Sequence, residues 1–171
     1  MKQFIRHLLW FVCLLLIQVL LLDNMHFLGV FIPLIYIYGL LRLPSEQSTA
    51  SVIFIGFLVG LVMDMLTNTP GLHASATTLM AFLRYPVLRL FVLKEDMSSR
   101  DVSVGWLGKS AYWKYCLILV LIHHTMVFLL EALSFFNIGE LLLKIAVCSL
   151  LTIIFIFAME LINRGEHARN A

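Results

Sequence analysis

Six apolar stretches, each near the length an α-helix needs to cross a bilayer, follow one another with only short polar breaks. Crossing about 30 Å of hydrocarbon takes roughly 20 helical residues, with about 17 to 25 tolerated. Residues 4–22, 27–43, 50–66, 72–93, 115–136 and 141–161 are the candidates. Water could not hold such a chain folded: 61% of its 171 residues are hydrophobic and 13% charged, where a soluble domain carries about 25% charged residues. In lipid every backbone amide must be satisfied within the chain, and helices do this segment by segment. The pattern predicts an all-α fold, a polytopic six-helix transmembrane bundle forming one domain over residues 1–171.

The second stretch is short and broken by Pro33. The fourth is apolar for the 12 residues from Leu72 to Leu83, then meets Arg84, Pro86 and Arg89. Twelve residues make only about 18 Å of helix. The helix is therefore expected to continue past Arg84, which can snorkel, and to kink at Pro86 so that residues 87–93 run along the interface. Residues 1–22 have the basic start and apolar run of a signal peptide, but the run ends at Leu22-Asp23-Asn24 without a small-x-small cleavage site. A retained first helix is expected.

Lysine and arginine accumulate in cytoplasmic loops and so set orientation. With six spans and the N-terminus inside, Lys2, Arg6, Arg42, Arg84, Arg89, Lys94, Arg100, Lys109, Lys114, Arg164 and Arg169 fall on the cytosolic side, and only Lys144 of the twelve basic residues falls on the outer half. The expected location is the bacterial cytoplasmic (inner) membrane, multi-pass, with both termini cytosolic. The one long connection, residues 94–114, is charged and then rich in aromatics, including Trp106 and Trp113. Such rings favour the headgroup level, which predicts a loop lying on the cytosolic membrane surface. Arg84 and Arg89 read as anchors at that interface, in contact with anionic lipid.

A net charge of +2 gives no reason to expect nucleic acid as a partner. Cys13, Cys116 and Cys148 all lie inside apolar runs, an arrangement that suits packing rather than a disulfide framework. No nucleophile elbow, phosphate loop, metalloprotease helix or disulfide-exchange motif occurs, so no enzymatic activity, catalytic residue or cofactor is expected.

The best local signal runs from Gly60 through Asp64 and Pro70-Gly71 to His73. It reads as the end of one helix, a tight turn and the start of the next. Asp64 lies near the edge of the hydrocarbon and needs a partner; it organises the turn with His73 by hydrogen bonding, or it binds something. His123, His124 and Glu131 form a second constellation, with His124, Phe128 and Glu131 on one helical face. Together with Glu160 they are expected to turn inward and hydrogen-bond between helices, or to contact a ligand or partner. A metal site would want more ligands at set spacing, and none is expected. Gly56 and Gly60 make a small-residue face suited to close helix packing within the protein.

Around the Asp64–His73 turn the sequence resembles the rod shape-determining MreD family. Gly60, Asp64, Pro70, Gly71 and His73 match that family's glycine-containing helix, aspartate and Pro-x-Gly-x-His turn in kind and order, with the turn contracted by the extra residue many members carry. The Leu83-Arg84-Tyr85-Pro86 break and the stretch from His123-His124 to Glu131-Ala132-Leu133-Ser134-Phe135 extend the resemblance over most of the chain. It implies a non-enzymatic member of the machinery that elongates the bacterial wall. Implied partners are an MreC-like bitopic membrane protein, the RodA glycosyltransferase, its class B penicillin-binding partner and the MreB filament. The implied fold is similar to the six-helix substrate-binding subunits of energy-coupling-factor transporters. Two functions stand as expectations: a scaffold that binds other transmembrane helices, and a small-molecule-binding subunit of a transporter.

Overall fold

The computed structural model describes residues 2–22, 32–132 and 137–169. Among these, regular structure is helical throughout, apart from one antiparallel bridge between Pro44 and Asp101. Helix α1 (Lys2–Ile17) passes into a π-helical turn, Gln18–Leu22. Residues 32–34 are non-helical, and a 3-10 turn (Ile35–Ile37) then leads into the short α2 (Tyr38–Arg42). Helices α3 (Thr49–Thr67) and α4 (Leu72–Leu88) form a hairpin; α5 (Val104–Leu107) lies in the long connection; α6 (Lys109–Ala132) and α7 (Ile138–Arg169) complete the chain.

Three segments, Thr49–Thr67, Lys109–Ala132 and Ile138–Asn163, are long and apolar enough to cross a membrane, and Leu9–Leu20 forms a shorter apolar helix. The described residues thus form an all-helical fold, with three helices able by length and composition to cross a membrane. Large apolar side chains face outward along the chain, among them Phe54, Met65, Phe82, Leu150, Ile154 and Ile162. Acyl chains solvate such a surface without the cost that water imposes.

Local chemistry explains most boundaries. Ser48 caps α3 by accepting from the Ser51 N–H at 3.2 Å, and α3 stops where Asn68 turns left-handed, with φ of 57°. Helix α4 ends at Leu88, short of the expected 93. Pro86 sits in its last turn, where it removes the N–H that would bond back to Phe82 O, and residues 89–92 turn away instead of extending the helix. Helix α6 starts at Lys109, six residues before the expected 115, directly after Gly108 with φ of 82°. Helix α7 starts three residues early because Asn137 and Glu140 cap its first turn reciprocally, at 3.3 Å in each direction. Of the expected spans, residues 27–31 and 133–136 lie outside the described residues.

The core surrounds the short stretch formed by the 3-10 turn and α2. Tyr36, Ile37, Leu40 and Leu41 are 0% exposed and Ile35 and Tyr38 nearly so. A helix buried on all sides belongs at the centre of a bundle. Helices α1, α3 and α7 pack around it, and α6 reaches it through the Tyr115 hydroxyl, which donates to Leu41 O at 3.0 Å. Beside this centre, α3 and α4 close tightly: a Cβ on Gly60 would lie 2.5 Å from Ala74 Cα and 2.6 Å from His73 O, and one on Gly56 would lie 2.8 Å from Ala81 Cβ. The Gly56–Gly60 face is thus an internal helix-packing face.

The bundle has two distinct ends. The turn end carries Asn68–Gly71. The loop end carries residues 43–48 and 89–108, tied together by Ser45 Oγ to Ser98 O at 2.9 Å, Ser98 N to Ser45 Oγ at 2.9 Å and Val102 N to Arg42 O at 3.2 Å.

Candidate functional site

At the turn end, Asp64 is 4% exposed and its carboxylate closes the start of the neighbouring helix. Oδ1 accepts from His73 N at 2.8 Å and from Thr69 Oγ1 at 3.1 Å, and Oδ2 accepts from Ala74 N at 2.9 Å. The first N–H groups of a helix have no partner within it. An anion at that end satisfies them and also meets the positive end of the helix dipole. Gly71 lets the chain make the approach because it takes the left-handed conformation, with φ of 81°. Pro70 is exposed beside it. Asp64 therefore organises the turn, through the His73 backbone rather than its imidazole.

That imidazole faces inward. The Tyr36 hydroxyl lies 3.0 Å from His73 Nδ1 and 2.9 Å from His123 Nε2. It has a single proton, so it donates to one ring and accepts from the other. Both rings stand edge-on to Tyr36, at centroid separations of 5.7 and 5.6 Å. His123 Nδ1 is buried without a hydrogen-bond partner.

His124 has a different task. Its Nδ1 lies 2.9 Å from Val120 O, a pure acceptor, so Nδ1 carries the proton and Nε2 accepts from the Thr152 hydroxyl at 3.2 Å. Thr152 Oγ1 in turn accepts from Leu34 N at 3.0 Å. Gln18 completes the repair of this broken stretch: its Nε2 donates to Pro33 O at 3.0 Å and its Oε1 accepts from Ile35 N at 2.8 Å. Non-helical backbone at membrane depth survives only where protein groups satisfy it. Gln18, Thr152 and His124 do so here.

Charge is consumed in the same way toward the loop end. Glu160, 4% exposed, accepts from Tyr38 Oη at 3.0 Å, Tyr112 Oη at 3.4 Å and Val104 N at 3.2 Å. Asn163 Nδ2 donates to Tyr38 Oη at 2.9 Å, and Arg42 donates to the same oxygen at 3.3 Å. Arg84 departs from the expectation of a lipid anchor. It is 2% exposed and donates to Leu43 O just past α2, where a cation meets the negative end of the helix. The reason is depth: α4 packs so closely on α3 and α6 that its inward face holds Arg84 inside.

The remaining sequence candidates are scattered. Arg89 is exposed. Trp106 is half-buried and helps line a surface cleft of about 310 Å³ with Phe91, Leu93 and Asp96. Trp113 is half-buried between Tyr112 and Phe157, at ring separations of 5.2 and 5.5 Å. Glu131, expected to turn inward with His124, is exposed. His124, Phe128 and Glu131 do share a face, but burial along it fades from full to none because the surrounding helices end lower.

Sequence reasoning passed over Gln18, Tyr36, Tyr38, Thr152 and Asn163. Gln18 and Thr152 were detectable as polar residues inside apolar runs. The tyrosines carried no such mark, since tyrosine is ordinary in membrane helices. No three His, Cys, Asp or Glu side chains gather as a metal site among the described residues. No family model, curated protein or solved structure matches this chain.

Proposed function

We propose that the chain is a non-enzymatic scaffold of the bacterial cell-elongation complex, a six-span inner-membrane protein with cytosolic termini that binds an MreC-like partner and supports lateral peptidoglycan synthesis. In this reading the turn end faces outward and the loop end faces the cytosol, toward MreB; RodA and its class B penicillin-binding partner are neighbours in the membrane. The observation that carries it is the use of the buried ionisable groups. Asp64, Arg84 and Glu160 all hydrogen-bond to backbone of this chain, and the middle of the bundle is filled by the helix carrying Tyr36 and Tyr38. Groups spent in this way make a rigid body whose business lies on its outer surface.

One feature favours the second reading, a small-molecule-binding transporter subunit. Segment two is interrupted at residues 32–34, and interrupted helices mark the binding sites of many transporters. Purification of the tagged full-length chain from native membranes separates the readings. The scaffold predicts co-purification of a bitopic partner, and loss of rod shape when the protein is depleted. Normal shape and normal partner assembly after depletion overturn it, and a retained small molecule seen by native mass spectrometry favours the transporter.

A further inference from the structure

Among the described residues, α6 and α7 overhang the start of α4 at the turn end. His123 and His124 stand level with His73 through Tyr36, and with Thr152 by direct contact. His73 opens α4, so α4 stops at this level. Helix α6 continues eight residues past His124 to Ala132, and α7 begins fourteen residues before Thr152. At 1.5 Å per residue these are rises of about 12 and about 21 Å. Burial agrees: residues 137–147 include no buried side chain, although Leu141, Leu142, Leu143 and Ile145 keep the segment apolar.

Glu131 stands on this overhang, on the same face as buried His124 and about 10 Å above it. It has no hydrogen-bond or ion-pair partner among the described residues, whereas the neighbouring charges on α7 are matched, Lys144 to Glu140 at 3.5 Å. Ionisable groups in apolar helices are normally paired. A second copy of this chain supplies no unmatched cation to the same face, because the only basic side chain described there is Lys144.

We infer that the α6–α7 overhang is the docking surface for a transmembrane helix of another polypeptide, one that presents a lysine or arginine near its turn-end terminus opposite Glu131. The apolar walls take the partner's side chains by dispersion packing, and the carboxylate fixes its depth and register, since a charge pair in apolar surroundings tolerates little displacement. The inference rests on the scaffold reading and adds the site and the partner's chemistry.

The test uses the full-length chain in lipid nanodiscs with synthetic single-span Leu-Ala peptides labelled for energy transfer. One peptide carries arginine near the matching end, and a second carries leucine there. The arginine peptide is expected to bind at least tenfold tighter, Glu131→Gln to abolish that difference, and Glu140→Gln to leave it standing. Equal binding of the two peptides overturns the surface. So does an unchanged preference in Glu131→Gln, or energy transfer explained by pairing of the chain with itself. Co-purification from native membranes then tells the two levels apart. A partner retained by Glu131→Gln refutes this surface but keeps the scaffold, and a wild-type chain that retains no partner refutes the scaffold itself.

Discussion

Replacing Asp64 with alanine is the sharpest test of how this bundle is held. The substitution removes the acceptor for His73 N and Ala74 N, at 2.8 and 2.9 Å, and for Thr69 Oγ1 at 3.1 Å. An orphaned buried donor costs about 1–3 kcal/mol. Two backbone donors are stranded, and the exposed turn beside them admits some water, so the expected loss is about 2–4 kcal/mol, most of it from the two N–H groups. Thr69→Val removes a single hydroxyl bond and should cost about 0.5–1.5 kcal/mol. Reversible unfolding in lipid or mixed micelles, followed by the fluorescence of Trp10, Trp106 and Trp113, measures both variants against wild type. If Asp64→Ala is no more destabilising than Thr69→Val, the carboxylate is not the cap of α4 and the reasoning fails.

Gly60→Ala should destabilise by about 1–3 kcal/mol or more, and by more than Gly56→Ala, because its Cβ would lie 2.5 and 2.6 Å from α4 backbone atoms whereas the nearest backbone atom to that of Gly56, Thr77 O, is 3.0 Å away; the same unfolding assay ranks them, and the reverse order refutes the packing argument. Gln18→Leu strands Pro33 O and Ile35 N in the core and should cost about 2 kcal/mol or more. Gln18→Glu keeps one acceptor and separates lost bonding from lost shape. Glu160→Ala frees Val104 N and the hydroxyls of Tyr38 and Tyr112; amide hydrogen exchange should rise across residues 98–107 while α3 and α4 keep their protection, and unchanged exchange there removes Glu160 from its role as a latch.

Length and hydropathy made the helical class and three helices able to cross a membrane legible, but not the second stretch, where only Tyr38–Arg42 is α-helical. The boundaries of α3 followed to within a residue, because capping is local and Ser48 and Asn68 sit next to what they cap. The Asp64–His73 turn was legible for the same reason: its bonds close over nine and ten residues of chain. Where an element's end depended on a partner far along the chain, the sequence was silent. Tyr36 meets His123 across 87 residues, and Tyr38 meets Glu160 across 122.

Sequence alone thus determined that this protein is built of helices, several apolar enough to cross a membrane, and turns on Asp64, Pro70, Gly71 and His73. Tertiary structure decided which polar groups meet inside. It placed Arg84 in the core instead of at the lipid, sent His124 inward and left Glu131 outside on the same helical face. The physical reason is that hydropathy measures what a segment prefers as solvent. Burial at a given residue depends on how far the neighbouring helices extend beside it, and that relative height is set only when the helices pack.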